Sequence, residues 1–598
     1  MESKVLKKRG EIREKDKWAV NEIYSCDEEW EREYKELQEE APKLKDFEGK
    51  LGDAKVLEEY FEVNEKTSRK AEKIYVYAHL RSDEDTSNTT YQAMMNKIDA
   101  YMAEYATYTA YVVPEILALP DGTIEKLMNE NKVLEPYKFL IENILKEKPH
   151  VLDKKEEELL AAASDCLDAP SSIHNIMTNA DMKFGNIKDE DGEEVELTEG
   201  NYSSFIKSKD RNVRKAAFER LFGEYKSFEN TLATTLSSSI KVFNFGAKIR
   251  NYNSALEASL KPNDIPTEVY TNAVKTINDN LSSLHRYVKL KKKLLGLEEM
   301  HMYDLYVPVI EVPKEHVEFD KAVEMAVEGL NPLGKEYLDI FQGGIDGGWI
   351  DKYINKGKRG GAYSWGGYDT KPYVLLNYNY ELNDVSTLVH EMGHSIHSYY
   401  SRKEQSYYYA GYTLFCAEVA STTNEALLIH HLINKETDKK KKLYLINQEL
   451  EQIRTTVFRQ LMFAEFELYT HESFEKGLPL TAQDYNAKWH ELNVKYFGPD
   501  MVVDSDIDVE WSRIPHFYSD FYVYQYATGY AAASAFANSI LNGEKDAVEK
   551  YVGFLKSGGS DYPIEILKKA GVDMTTSKPL EATINRFNEL LDMLEKEI

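Results

Sequence analysis

The chain contains few of the residues that cross-link or interrupt a fold. It has three cysteines, Cys26, Cys166 and Cys416, and none of them shows the CxxC spacing of redox or zinc-ribbon sites. This odd and sparse set of thiols is typical of a reducing compartment and indicates no disulfide framework. The 17 prolines and 31 glycines are below average usage for 598 residues, which favours uninterrupted helices. No segment approaches the roughly 18 apolar residues that a membrane span requires.

The chain also has little positive charge for its size. Its 74 Lys and Arg residues are outnumbered by 102 Asp and Glu residues, giving a net charge of -28. A phosphate backbone would be repelled by this charge, which disfavours a nucleic-acid partner. The first residues, Met1 to Arg9, are basic but are followed by further charged residues and not by an apolar signal-peptide core. We therefore expect a cytoplasmic protein that binds neither nucleic acid nor membrane.

The dominant pattern is long, charged, amphipathic helix. Such patterns occur at Asp27 to Glu40, Tyr91 to Val112, Lys154 to Ala163, Asn212 to Lys241, Thr267 to Leu295, Lys439 to Glu475 and Ala582 to Lys596. Nine glycines between Gly343 and Gly367, followed by an apolar strand near Tyr373, mark one small β region. The sequence predicts a mostly α protein with a small antiparallel β region.

The segment His390-Glu391-Met392-Gly393-His394 has the spacing of a metal site. Residues four apart share one face of a helix, so His390 and His394 can direct both imidazoles at one ion. Glu391 is rotated away from that pair and is the candidate general base that takes a proton from water. The alternative is a core helix that carries two histidines with ordinary hydrogen-bond partners.

The surroundings of this segment favour the metal site. Pro372 to Tyr378 is typical of a strand, and Asn383 or Asp384 can cap a helix that begins after it. An apolar stripe then follows one helix face, formed by Val385, Leu388, Val389, Met392 and Ile396.

A third ligand must come from elsewhere in the chain. His397 lies about 10 Å farther along the helix than His390, too far to share one ion with it. Glu418 is the single carboxylate in an apolar helix, where a buried anion needs a cation or several donors. Glu404 is the rival ligand, in a more polar setting. Glu425 lies seven residues after Glu418 and either hydrogen-bonds a ligand imidazole or is a solvated acid.

At these residues the chain resembles the thimet oligopeptidase family of zinc metallopeptidases, and within it the bacterial oligoendopeptidase F branch. Four signatures carry the resemblance: Gly360-Gly361-Ala362-Tyr363 with the strand Tyr373 to Tyr378; Asp384 to His394; Ala417 to Ser421 with Asn424-Glu425; and Ile514 to Tyr518 with Phe521 to Gly529. Their order and spacing also match, and the resemblance runs from about residue 10 to the C-terminal end.

The resemblance implies particular roles for residues. It makes Glu418 the third zinc ligand, with one zinc ion per chain, and it favours His516, Tyr522 and Tyr526 as donors to the peptide oxygen that becomes negative during hydrolysis. A tyrosine stripe on a helix is also common in core packing, which is the alternative for these tyrosines. The fold it implies is a two-lobed helical shell around a deep channel that admits only short, unfolded peptides.

Peptide binding is expected at the small β region. An edge strand beside the zinc helix could accept an extended peptide as a further strand. Gly360, Gly361, Ala362 and Tyr363 are the candidates for that contact, and a flexible connector is the alternative.

The sequence thus predicts a zinc-dependent endopeptidase. We place an N-terminal helical lobe at residues 1–195 and the catalytic domain at 196–598, divided near the acidic turn Asp189 to Glu194, which has the pattern of a hairpin tip. Two alternatives stay open: a metallocarboxypeptidase that holds the terminal carboxylate with Arg513 or Lys371, and a peptide-binding module without catalysis.

Overall fold

The computed structural model describes residues 6–310 and 315–597, and most of these residues are helical. The predicted mostly α class is confirmed. No helix in this part of the chain combines the length and the apolar character needed to cross a membrane.

The chain packs as two compact units, each assembled from three separate stretches of sequence. The first consists of the described residues of Met1–Lys148, Lys314–His431 and Phe536–Gly571. The second consists of those of Pro149–Pro313, Leu432–Ala535 and Val572–Ile598. Residue 195, the predicted end of the N-terminal lobe, lies within the second unit.

The helices are numbered in chain order. The first fourteen are α1 (Asp27–Glu40), α2 (Ala54–Glu84), α3 (Thr89–Thr109), α4 (Val112–Ala118), α5 (Thr123–Glu130), α6 (Lys138–Lys146), α7 (Lys154–Leu167), α8 (Ala169–Ile176), α9 (Glu199–Phe205), α10 (Arg211–Ser227), α11 (Glu229–Ile249), α12 (Ala255–Leu260), α13 (Thr267–Asp279) and α14 (Leu281–Leu294). They are followed by α15 (Phe319–Leu330), α16 (Gly334–Asp346), α17 (Leu382–Glu404), α18 (Leu414–Lys435), α19 (Lys439–Ile453), α20 (Arg459–Glu475), α21 (Ala482–Phe497), α22 (Tyr524–Leu541), α23 (Ala547–Ser557), α24 (Pro563–Lys569) and α25 (Lys578–Glu597).

Helix α1 has the predicted bounds, whereas two long predicted helices are each divided into two. The segment from Asn212 to Lys241 is interrupted at Phe228, and that from Thr267 to Leu295 at Asn280. Both residues leave helical backbone angles, with φ -113° at Phe228 and φ -121° at Asn280. Amphipathic periodicity continues across such short breaks, so the sequence pattern alone did not reveal them.

The strands in the described part of the chain are short and form three small sheets. They are β1 (Asn186–Lys188), β2 (Glu194–Glu196), β3 (Met300–His301), β4 (Ile350–Tyr353), β5 (Tyr363–Trp365), β6 (Tyr373–Tyr378) and β7 (Met501–Val502). Strands β1 and β2 are antiparallel around the acidic turn, so the predicted hairpin tip is confirmed.

The predicted β region is a three-stranded sheet of order β4-β6-β5 within the first unit. Strand β5 pairs antiparallel with β6, as predicted, with Tyr363 opposite Leu375. Strand β4 pairs with β6 in parallel, so the sheet is mixed and not purely antiparallel. The chain reverses at β5 between β4 and β6, which gives those two strands the same direction. Strand β5 therefore lies at an edge, and β6 is central.

Helix α17 packs on this sheet and against α15, α16 and α23 of the same unit. Its predicted apolar stripe is fully buried, formed by Val385, Leu388, Val389, Met392 and Ile396. Burial of each such side chain contributes about 1.5–3 kcal/mol. The helix begins at Leu382, before both predicted caps. Asp384 instead accepts from the Glu381 amide at 2.9 Å and the Asn379 amide at 2.8 Å.

Helices α17 and α18 touch at Gly393. A Cβ atom added at this residue would lie 2.7 Å from the Ser421 Cα and 2.9 Å from the Ala420 carbonyl oxygen. Both neighbours are backbone atoms, which cannot rotate away. The absence of a side chain at Gly393 therefore sets how closely the two helices approach.

We predict that Gly393→Ala lowers the free energy of unfolding by about 1–3 kcal/mol, because the helices must separate to admit the methyl group. Urea denaturation followed by circular dichroism measures this. Gly553→Ala is the matched control: Gly553 lies in α23 with no atom within 4 Å of an added Cβ. There the better helix propensity of alanine stabilises by up to about 1 kcal/mol. Equal effects of the two substitutions would contradict the close-contact interpretation.

Candidate metal centre

Three side chains from α17 and α18 converge on one point. The Nε2 atoms of His390 and His394 are 3.2 Å apart. The Glu418 Oε2 atom lies 3.5 Å from the Nε2 of His390 and 3.4 Å from that of His394. Within the described residues, this is the group of His, Cys, Asp and Glu side chains whose ligand atoms lie close enough to hold a metal ion.

These distances fit a zinc ion. A tetrahedral ion bound at about 2.0–2.1 Å holds its ligand atoms about 3.3–3.4 Å apart, which is close to all three separations. Two imidazole nitrogens that face each other at 3.2 Å would repel if both lone pairs were unshared. A cation between them and the carboxylate removes that repulsion, so the donor set suits zinc in chemistry as well as in spacing.

Glu425 and Ser386 orient the first imidazole. Glu425 Oε2 lies 3.4 Å from His390 Nδ1, and the Ser386 hydroxyl donates to Glu425 Oε1 at 3.2 Å. A proton on Nδ1 leaves the Nε2 lone pair directed at the shared point, which is how carboxylates support metal-bound histidines. Of the two predicted positions for Glu425, beside a ligand imidazole or in solvent, the structure has the first.

The same carboxylates raise the pKa of the imidazole. Burial would lower the pKa of His390, but the hydrogen bond to Glu425 and the charges of Glu425, Glu391 and Glu418 outweigh burial and raise this pKa to about 9. Surroundings that favour a proton at this ring also favour a metal cation. The electrostatics and the geometry therefore agree.

Ser421 supports the third member of the group. Its hydroxyl donates to Glu418 Oε2 at 2.9 Å from one turn farther along α18. The Glu418 side chain is 48% exposed, so it is not the buried anion that the sequence suggested. Partial desolvation opposes its ionisation, but the hydrogen bond to His394, the charges of both histidines and the Ser421 hydroxyl hold the pKa of this carboxyl at about 2. Glu418 is therefore ionised at neutral pH, as a metal ligand must be.

Glu391 lies beside this group but is not one of the converging side chains. Only 7% of it is exposed. Burial raises the pKa of its carboxyl, and the charges of His390 and His394 act in the opposite direction. A buried carboxyl next to a cation site has the surroundings of a general base.

The excluded His397 and the rival ligand Glu404 both lie away from this group. His397 is buried and stacks on Tyr412 with ring centroids 3.8 Å apart. Burial lowers the pKa of His397 to about 3, so this ring is neutral at physiological pH. Glu404 lies ten residues after His394 on the same helix, about 15 Å along its axis, and its Oε1 is 3.9 Å from Lys556 Nζ. Cys416 is buried, as expected of a core thiol.

His516, Tyr522 and Tyr526 form a cluster within the second unit. The His516 ring lies parallel to the Tyr522 ring at 6.0 Å, and the two tyrosine rings meet edge to face at 5.4 Å. The Tyr526 hydroxyl is 3.5 Å from His516 Nε2. Burial lowers the pKa of His516, which favours its neutral form. The structure thus brings these three predicted donors together.

The four candidate peptide contacts lead into and begin edge strand β5. Gly360 and Gly361 are exposed, and Gly361 has φ +83°, an angle that favours glycine. Asn377 fixes this turn by donating to the Gly361 carbonyl at 2.7 Å. Ser364 of β5 is hydrogen-bonded to Ser395, the neighbour of His394, at 2.8 Å between hydroxyl oxygens. The edge strand is therefore tied to the helix that carries the histidine pair.

Sequence reasoning missed the residues that fix the two helices against each other. Asn424 is fully buried, donates to the Val389 carbonyl at 3.0 Å and accepts from the Tyr337 hydroxyl at 2.8 Å. It therefore locks α18 to α17 one residue from His390. Its place beside Glu425 was a signal, but its partners depend on which helices pack together.

Comparison with known proteins identifies related chains over nearly the whole length. Residues 204–586 match the model of peptidase family M3, and residues 115–184 match a model described as oligopeptidase F. Residue 195, the predicted domain boundary, lies between the two matches, and the division there stays a prediction.

Individual relatives give the same result. Oligopeptidase PepF of Bacillus subtilis is 48% identical over 592 residues, which cover 99% of this chain and 88% of that protein. Group B oligopeptidase PepB of Streptococcus agalactiae is 42% identical over 588 residues, or 98% of each chain. The crystal structure of oligoendopeptidase-F from Enterococcus faecium aligns with a TM-score of 0.73 at 41% identity, over 96% of this chain and 99% of that one.

We predict that replacing Glu425 weakens metal binding, because His390 loses the partner that directs its Nε2. Loss of such an orienting carboxylate costs about 10–100-fold in metal affinity, with Glu425→Ala at the upper end and Glu425→Gln at the lower. Competition for zinc with a chromogenic chelator measures the affinity. Glu404→Gln, on the same helix as His390, is the control and should retain normal affinity. Unchanged zinc affinity in Glu425→Ala, or an equal loss in the Glu404→Gln control, would contradict the assignment.

Proposed function

The chain belongs to peptidase family M3 and is a metalloendopeptidase, and from this premise we propose that it uses zinc to hydrolyse internal bonds of short, unfolded oligopeptides in the cytoplasm. The observation that carries the proposal is the convergence of His390, His394 and Glu418 at 3.2–3.5 Å, with Glu425 behind His390. The names of the relatives, oligopeptidase and oligoendopeptidase, support the class of substrate.

His390, His394 and Glu418 would hold the zinc ion. When bound there, zinc acts as a Lewis acid that polarises the peptide carbonyl and makes water more acidic. Two neutral imidazoles and one carboxylate would leave a bound zinc ion with a net positive charge, as a Lewis acid requires.

Glu391 is the proposed general base. Its carboxylate takes a proton from the attacking water and then delivers it to the nitrogen of the leaving amine. Burial of this side chain supports the role, since a carboxyl with a raised pKa both accepts and returns a proton more readily near neutral pH.

His516, Tyr522 and Tyr526 are the proposed donors to the oxygen that gains negative charge. Their mutual packing supports a pre-organised group, and such donors contribute about 3–4 kcal/mol each when they meet the developing charge. This assignment comes from the family resemblance and from their clustering.

The proposed peptide site is the edge of strand β5 with the preceding Gly360, Gly361 and Ala362. An extended peptide would add its backbone to the edge, with Tyr363 as the first strand residue. The tie between Ser364 and Ser395 supports this role, because it fixes the edge relative to the histidine pair.

Exopeptidase action at the C-terminus is less well supported. A carboxypeptidase needs a free cation for the terminal carboxylate, and both candidates already have anionic partners. Arg513 pairs with Glu199 at 2.7 Å, and Lys371 pairs with Glu22 at 2.6 Å. Neutralised cations bind a further carboxylate weakly.

We predict that Glu391→Gln lowers kcat by about 10²–10⁴-fold and leaves zinc content unchanged, because glutamine cannot accept the proton but is not a ligand. Hydrolysis of a mixed peptide pool, followed by mass spectrometry, and atomic absorption for zinc provide the two measurements. Glu404→Gln is the control and should keep both properties. Retained hydrolysis in Glu391→Gln would contradict the role of Glu391 as general base.

We also predict that peptides with an amidated C-terminus are cut at the same internal bonds as free peptides, because the proposed site recognises backbone and not the terminal carboxylate. Product masses from matched amidated and free peptides test this. Release of single C-terminal residues, abolished by amidation, would favour the carboxypeptidase.

A further inference from the structure

A strained backbone lies immediately before Tyr522. Phe521 has φ +58°, a left-handed angle that is an outlier for a bulky side chain. It is the third residue of a turn closed by the Tyr522 amide, which donates to the Ser519 carbonyl at 3.0 Å. Turns with a positive φ at this position ordinarily use glycine or asparagine. A phenylalanine stays there only if its surroundings hold it, and such strain concentrates at functional sites.

A buried carboxyl holds this residue by its backbone. Glu467 Oε1 accepts from the Phe521 amide at 2.7 Å, and Glu467 is only 2% exposed. The Tyr270 hydroxyl lies 3.3 Å from the other carboxyl oxygen. Burial raises the pKa of Glu467 well above its usual range, which favours the neutral acid. The proposed mechanism has no step that requires this group.

The ring of Phe521 is held in the same way. It packs against His471 at 4.4 Å and Tyr270 at 5.6 Å between centroids, and only 1% of the residue is exposed. His471 Nε2 is also 3.2 Å from the Asp520 carboxylate. Glu467 and His471 lie four residues apart on α20, so one helix face holds both central residues of the turn.

We propose that Glu467 is a positioning residue: it fixes the left-handed turn at Phe521 and thereby sets where Tyr522 presents its phenol. The turn determines the direction in which the chain leaves Phe521, and the Tyr522 ring lies one residue later. If Phe521 relaxed to negative φ, the Tyr522 ring would leave its parallel position beside His516. The inference rests on the proposed role of Tyr522 as a donor.

Two substitutions at Glu467 distinguish the length of the side chain from its acid group. Glu467→Gln keeps the length and an acceptor oxygen for the Phe521 amide, so kcat should stay normal. Glu467→Asp keeps the acid but withdraws the acceptor by one methylene, so kcat should fall by about tenfold or more, with KM little changed. Thr470→Val is the control on α20, since the Thr470 hydroxyl bonds the Glu467 carbonyl within the helix. It should affect thermal stability and not kcat.

Two further measurements test whether Glu467 affects kcat by positioning Tyr522. Hydrogen exchange of a peptide spanning residues 516–526 should be faster in Glu467→Asp and unchanged in Glu467→Gln. In a double-mutant cycle, Glu467→Asp should lower kcat much less in a Tyr522→Phe background than in the wild type, because the phenol it positions is gone.

Each outcome has one meaning. Slower turnover in Glu467→Asp, normal turnover in Glu467→Gln and a non-additive cycle support the proposal. Additive losses, or equal losses in both Glu467 variants, overturn it and leave Tyr522 as a donor. Normal turnover of Tyr522→Phe alone removes the donor role itself, and the inference falls with that part of the proposed function.

Discussion

The backbone contact between α17 and α18 at Gly393 is the constraint on which the candidate metal centre depends. The three converging atoms belong to two helices, and their separations of 3.2–3.5 Å tolerate shifts of only a few tenths of an ångström. Gly393 permits the approach, and the buried Asn424 fixes the sliding of one helix along the other. Packing at the glycine therefore sets the distance between the helices, and the polar contacts of the asparagine set their register.

Polar side chains around the centre are arranged as short chains that end on proposed ligands. Ser386 and Glu425 lead to His390, and Ser421 leads to Glu418. Each series of polar contacts stabilises the charge on a half-buried proposed ligand and restricts the rotation of that side chain. Less side-chain entropy is therefore lost when an ion binds. The turn at Phe521 is restrained by a buried polar side chain in a similar way. Glu467 holds the Phe521 amide, where the backbone has an angle that ordinarily needs glycine.

The sequence predicted features that depend on local periodicity. These include helix α1 with its bounds, the stripe of α17, the exclusion of His397 by helix rise, and the hairpin at Asp189 to Glu194. It did not predict features that require knowing which elements touch. The parallel pairing of β4 with β6, the partners of Asn424 and the assembly of each unit from distant segments belong to this class. The periodicity of a sequence predicts which face of a helix or strand is buried, but it does not predict which other element packs against that face.

The discontinuous first unit has a consequence for synthesis of the chain on the ribosome. Helix α17 packs against α23, where Phe554 contacts the His397 ring at 5.1 Å between centroids, and Gly559 donates to the Tyr409 carbonyl at 2.8 Å. A nascent chain that has already exposed both histidines and Glu418 still lacks these partners. The helix with the histidine pair therefore completes its packing only after residues 547–571 have emerged.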